Sequence, residues 1–325
     1  MKTALAGFVS ALFLMPALAQ ADGLPVTGLD GRAGVLSNDG AYRTVTFISR
    51  RDTIVARIHT NSGQVARYRL IPGQLAVPAV AYDLSVAGLS ADGHTLALIR
   101  PRRQIHEPHT RITVLDAQRL LLEKTIVLSG DFSLDAISPD GSKLYLVEYL
   151  ALTPHNFDPT KYAVRSLDTR TGRLDPAPIV DAHEPGEKMG GLPVTRATSS
   201  DGRWAYTLYS GSEHPFIHAL DTVAGTARCV DLDALTARSD IFQMRLRLAA
   251  GGRQLRVVKD EKPVAFVDSR SFHVSSARPA AAHQPAGTAA KDGGSRTWPF
   301  VVAAGLLVLL IATTARPLAR ATRAR

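Results

Sequence analysis

The chain has 325 residues, 21% charged and 45% hydrophobic, ordinary proportions for a globular protein with appendages. Cys229 is the only cysteine, so an intramolecular disulfide is excluded and stability must come from a packed core, where Cys229 counts as a small apolar residue. The net charge of +9 falls to +4 over residues 22–298, 33 basic against 29 acidic, once Lys2 and the four tail arginines are set aside; no concentrated stripe argues for nucleic acid.

Residues 1–21 read as a signal peptide. Lys2 makes a positive n-region and Ala4 to Leu18 an apolar stretch. Ala17-Leu18-Ala19 and Ala19-Gln20-Ala21 are small-x-small cleavage sites. An uncleaved anchor is the alternative. "LPVTG" (24–28) matches a sorting pattern, but sorting needs it before a C-terminal span.

A repeat then sets in. Ser37-Asn38-Asp39-Gly40, Ser90-Ala91-Asp92-Gly93, Ser138-Pro139-Asp140-Gly141, Ser199-Ser200-Asp201-Gly202 and a degenerate Ala249-Ala250-Gly251-Gly252 start 53, 48, 61 and 50 residues apart. Asp or Asn can bond its own backbone at such a turn, and Gly accepts positive φ. A second turn signal follows each: "IHTNSG" (58–63), "VLDAQR" (114–119), "SLDTRTG" (166–172), "ALDTVAG" (219–225) and "FVDSR" (266–270). Short runs rich in Val, Ile, Leu and Tyr lie between, with no sustained helical period. Each repeat parses into four strands; in the second they are predicted near 82–89, 94–100, 111–116 and 122–128. The fold class is all-β: a β-propeller of four-stranded blades over 22–273, five visible, with room for six or seven if some are degenerate.

"SPDGSKLYLV" with "LDTRTG" resembles the repeat of YVTN-type and TolB-like β-propellers, cousins of WD-repeat proteins. The resemblance covers about 35–273. It implies the fold and is nearly silent on function.

Residues 274–297 are rich in Ala, Pro, Gly and Ser and read as a stalk. Trp298 to Ala315 is 18 residues without a charge, enough for one transmembrane helix, and Arg316, Arg320, Arg323 and Arg325 follow. Residues 316–325 are then a basic cytoplasmic tail. The expected localisation is the cell membrane, single-pass, with the propeller extracytoplasmic. The tail is similar to bacterial sorting tails clipped after export; a plain stop-transfer anchor is the simpler reading.

Propeller geometry places the two tight turns of each blade on one face. The links from strand two to three, and from blade to blade, lie on the other. Long loops fall on that second face: 100–111, 149–163, 181–195 and 209–218. They hold His106, His109, His155, His183 and His214, with Arg100, Arg102, Arg103, Lys161 and Lys188. Three readings compete. These are solvated loops; or a ligand- or partner-binding face, where Arg102, Arg103 and Lys161 meet anionic groups and histidines tune the charge; or a metal or catalytic site of His106, His109, His183 and His214. The sequence assigns no catalytic residue, metal or cofactor. The function expected is a membrane-tethered binding or scaffold module for a cell-envelope polymer or protein partner. The alternative is a metal-assisted hydrolase or lyase on the His-rich face.

Overall fold

The recurring turns are built alike down to the atom. Ser37 Oγ donates to Asp39 Oδ1 at 2.6 Å, Asp39 Oδ1 accepts the Ala41 amide, and the Tyr42 amide donates to Ser37 Oγ. Ser90–Asp92, Ser138–Asp140 and Ser199–Asp201 repeat the first bond at 2.5, 2.7 and 2.5 Å. The serine hydroxyl holds the carboxyls of Asp39, Asp140 and Asp201 below their ordinary range. The fifth turn has no serine or aspartate, yet the Gly252 amide still donates to the Ala249 carbonyl at 2.9 Å. The second signal is tied to the first. Thr169 Oγ1 donates to the Gly141 carbonyl, Thr222 Oγ1 to that of Gly202, and Ser269 Oγ to that of Gly252.

The computed structural model describes residues 34–103, 107–150, 162–186, 190–211, 213–249 and 251–276. The signal peptide, the span, the tail and the stalk beyond Ser276 lie outside them. Among the described residues no helix is long and apolar enough to cross a membrane.

Five antiparallel sheets follow one another along the chain, each with its strands in chain order. The first holds β1 (Val35–Leu36), β2 (Tyr42–Ser49), β3 (Asp52–His59) and β4 (Val65–Pro72). The second holds β5 (Thr95–Ile99), β6 (His109–Asp116) and β7 (Leu121–Ser129). The third holds β8 (Phe132–Ile137), β9 (Lys143–Tyr149) and β10 (Tyr162–Asp168). The fourth holds β11 (Pro193–Thr198), β12 (Trp204–Tyr209), β13 (Phe216–Asp221) and β14 (Thr226–Asp231). The fifth holds β15 (Arg245–Leu248), β16 (Gln254–Lys259), β17 (Lys262–Asp268) and β18 (Val274–Ser276). β18 occupies the first three residues of the stretch read as stalk.

Two sheets are a strand short of the four expected. The strand predicted over 82–89 is reduced to the bridges Ala79–Val86 and Leu89–Leu96. Its backbone is used elsewhere: the Tyr82 and Asp83 amides donate to the carbonyls of Pro193 and Val194 on β11, so the segment doubles back against the fourth sheet. The fourth strand of the third sheet survives only as the bridges Leu167–Leu174 and Val164–Ile179. Pro176 and Pro178 lie between them and have no amide hydrogen to give a ladder.

Strand alternation joins the sheets in series. Leu96 and Leu98 pack toward the first sheet, Ala97 and Ile99 toward the third. Leu144 and Leu146 face the second sheet, Tyr145 and Val147 the fourth. Ala205 and Tyr209 face the third sheet, Tyr206 and Leu208 the fifth. Four buried seams result, one between each consecutive pair. None of these clusters joins the fifth sheet to the first among the described residues.

Gly141→Ala is expected to cost more stability than Gly93→Ala. Both glycines sit in the left-handed region, at φ +71° and +72°, which costs an L-residue about 1–2 kcal/mol. A Cβ at 93 meets nothing within 4 Å, whereas at 141 it falls 2.1 Å from Thr95 Oγ1 on the second sheet. That adds an overpacking cost of about 1–3 kcal/mol. Equal shifts in the denaturant midpoint would show that the turn is not seated on β5.

Candidate functional site

Of the predicted site residues that are described, Arg102, Arg103, His183 and His214 have side-chain partners of their own. Arg102 is withdrawn from solvent: its guanidinium donates to Asp131 Oδ2 at 2.7 Å and lies 4.9 Å over the Tyr149 ring. Its charge is matched by Asp131 inside the fold. Arg103 is exposed and donates to Gln74 Oε1, while its amide donates to Glu107 Oε1. His109 opens β6 rather than lying in a loop, and its carbonyl accepts from Arg100. His183 bonds Asp181 Oδ1 at 2.9 Å and also meets Arg228. His214 Nε2 lies 2.9 Å from Asp231 Oδ1. His109 stands on the second sheet, whereas His183 and His214 lie in loops and meet different residues of β14, Arg228 and Asp231. Among the described residues no three of His, Cys, Asp and Glu are placed to hold one metal ion. His106, His155, Lys161 and Lys188 lie outside the described residues.

The seam between the third and fourth sheets carries the polar chemistry. The other three seams hold mainly aliphatic side chains. Cross-strand register aligns Arg196 on β11, Thr207 on β12, His218 on β13 and Cys229 on β14 in one row. Neighbouring strands are ~4.8 Å apart, so this row runs ~15 Å across the sheet. Arg196, Thr207 and His218 are buried. Facing the row is Asp135 of β8, whose carboxylate pairs with Arg196 and whose carbonyl accepts Arg196 Nη1 at 2.9 Å. At the outer end the Cys229 amide donates to Asp181 Oδ2. Among the described residues Thr207 Oγ1 and both ring nitrogens of His218 have no hydrogen-bond partner. Burial pushes the His218 imidazolium pKa down, against the opposing pull of Asp135. It also pushes the phenols of Tyr162 and Tyr209 up.

Above the inner end of this row opens a cavity of about 300 Å³. Four sheets line it through their inner strands and first turns: Leu36 and Ser37, Leu89 and Ala91, Ala136 and Ile137, Thr198 and Ser200. Arg196 also lines it. The lining is therefore small aliphatic and hydroxyl groups around one neutralised ion pair. This is the tight-turn face. Turns too short to build a site singly enclose one jointly, which sequence spacing does not reveal. Arg196 and His218 were equally hidden, because each sits inside a strand that reads as ordinary core.

No protein-family model and no curated protein sequence matches the chain. Solved structures are similar in part. Hydrazine synthase from Kuenenia stuttgartiensis aligns at TM-score 0.44 and 16% identity, over 83% of this chain and 69% of that one. TolB from Acinetobacter baumannii aligns at 0.42 and 12%, over 74% and 52%. The Cps50 (Swd1) β-propeller domain from Myceliophteria thermophila aligns at 0.41 and 11%, over 74% and 67%. These likenesses are too distant to carry an argument about function.

Removing Arg196 alone strands the Asp135 carboxylate in the seam. Arg196→Met is expected to cost about 3–5 kcal/mol, and the double variant Arg196→Met/Asp135→Leu to recover most of it. Denaturant unfolding measures both; a double variant as unstable as the single one would contradict this pairing.

His218 makes stability depend on pH. Its folded-state pKa lies below the ordinary 6.5. As pH falls below 6.5 the unfolded chain takes up this proton before the folded one does. Stability is then lost by up to about 1.4 kcal/mol per pH unit until the folded-state pKa is reached. His218→Phe should flatten the slope between pH 6.5 and the carboxylate range. An unchanged slope in an unfolding series would remove His218 as its source.

Proposed function

We propose that this chain is an exported, membrane-tethered β-propeller that serves as a binding or scaffold module for a cell-envelope ligand or protein partner. The observation that carries the binding role is the cavity of about 300 Å³ where turns of four sheets meet. Its small aliphatic and hydroxyl lining suits a narrow, mixed-polarity ligand such as an extended chain segment. The buried Arg196–Asp135 pair beneath it supplies a rigid polar floor. Support for export and tethering comes from the two termini, with their h-region, uncharged stretch and arginine cluster.

The opposite face competes for the same role through Arg103, His109, His183 and His214. A photoactivatable phenylalanine at Ser200 probes the cavity rim, and one at His109 the other face. Irradiation of cells carrying the full chain is expected to give a discrete adduct from Ser200. An adduct from His109 alone would move the site to the loop face. No discrete adduct from either position would sink the binding role.

A further inference from the structure

We propose that the outward face of the first sheet docks onto an anionic lipid surface. Register assigns that face without ambiguity. Thr46 and Val55 pair across β2 and β3, and both turn toward the second sheet, where Thr46 Oγ1 accepts the Val77 amide. Phe47–Ile54–Leu70 and Val45–Ala56–Tyr68 are therefore rows on the opposite face. Ile58–Val65 continues it. Val45 and Ala56 at the centre are buried and Ile54 is half-buried, but the flanking groups are open. Phe47, Tyr68, Leu70 and Val65 remain 58%, 65%, 60% and 56% exposed. Large aromatic and aliphatic groups in this number on one sheet face mark a surface that is covered in use.

Charge selects the cover. Residues 34–74 hold six arginines against Asp39 and Asp52, a net +4, equal to the whole excess of residues 22–298. Arg50 and Arg51 cap the β2–β3 turn at the edge of this face and are exposed, whereas Arg67 and Arg69 on β4 pair with Arg57 and Val55 and belong to the other face. Arg103 joins them: it donates to Gln74, whose amide donates to the Arg50 carbonyl at 2.6 Å. A second copy of this sheet would bring +4 against +4. The fifth sheet fits no better, with seven basic residues against three acidic over 245–276, again +4. An anionic bilayer satisfies both halves of the surface. Arginine stems lie along apolar groups while their heads meet phosphates, and aromatic rings settle at the headgroup level. The inference stands on the first sheet and does not need the proposed tether.

The test uses the full chain with tryptophan placed at Phe47 or, as a control on the tight-turn face, at the exposed Val223. Signals from Trp204 and Trp298 are subtracted with the unsubstituted chain. Vesicles contain brominated phosphatidylcholine with or without about one third phosphatidylglycerol. Phe47→Trp should be quenched more than Val223→Trp, and only with the anionic lipid. Arg50→Gln and Arg51→Gln should each weaken partitioning, on the order of five-fold per arginine, and by more than Arg69→Gln on the other face. Equal quenching at both positions, none at either, or quenching indifferent to lipid charge would overturn the proposal. Comparing two positions on one chain makes the readout independent of whether the chain is also anchored.

Discussion

A β-strand points successive side chains to opposite faces, and in this molecule both faces of the middle sheets are spent on burial. Leu144 and Tyr145 are neighbours in sequence and occupy different cores. No single sheet here encloses a core of its own. Each seam belongs to two sheets, so the strands are stable only in series. The welded turns serve this arrangement. A hydroxyl from the second turn holds the glycine carbonyl of the first, which sets both hairpins of a sheet at one height. A proline pair in one strand or a borrowed backbone in another can then remove a ladder without undoing the stack.

Within that frame β8 is unusual. Phe132 and Leu134 pack into an aliphatic seam, while Ser133 and Asp135 face the next sheet. Asp131, just before the strand, pairs with Arg102, and Asp135, near its end, pairs with Arg196. One buried ion pair thus ties the link after β5 of the second sheet to the third sheet, and the other ties the third sheet to the fourth, in addition to apolar contact. Buried pairs of this kind are poor sources of net stability and demanding in geometry. Each fixes the register of one sheet against the next, and the Arg196–Asp135 pair sets the floor of the cavity.

The ends of the series differ from its middle. The first sheet presents exposed apolar groups at Phe47, Val65, Tyr68 and Leu70, and both end sheets carry +4. The like charges disfavour direct contact between them, and among the described residues no buried cluster joins them. Surface chemistry is concentrated at the ends, whereas the polar seam and cavity lie in the middle.

The repeat, the all-β class and the position of every first turn are legible in the sequence, because turn chemistry is local. Ser138, Asp140 and Gly141 bond and bend within a few residues of one another. The alternation that feeds two seams is legible for the same reason. What sequence reading places wrongly is whatever depends on a distant partner. Arg102 reads as a loop cation and is consumed by Asp131, 29 residues on. Residues 82–83 read as a strand of their own repeat and bond instead to β11, more than a hundred residues away. The row Arg196–Thr207–His218 exists only through strand pairing, and the cavity only because four turns converge. The sequence by itself determined the hairpins and their repeat. The tertiary structure alone decided which charges are buried together and where an opening remains, since pairing across sheets is set by packing and not by neighbours along the chain.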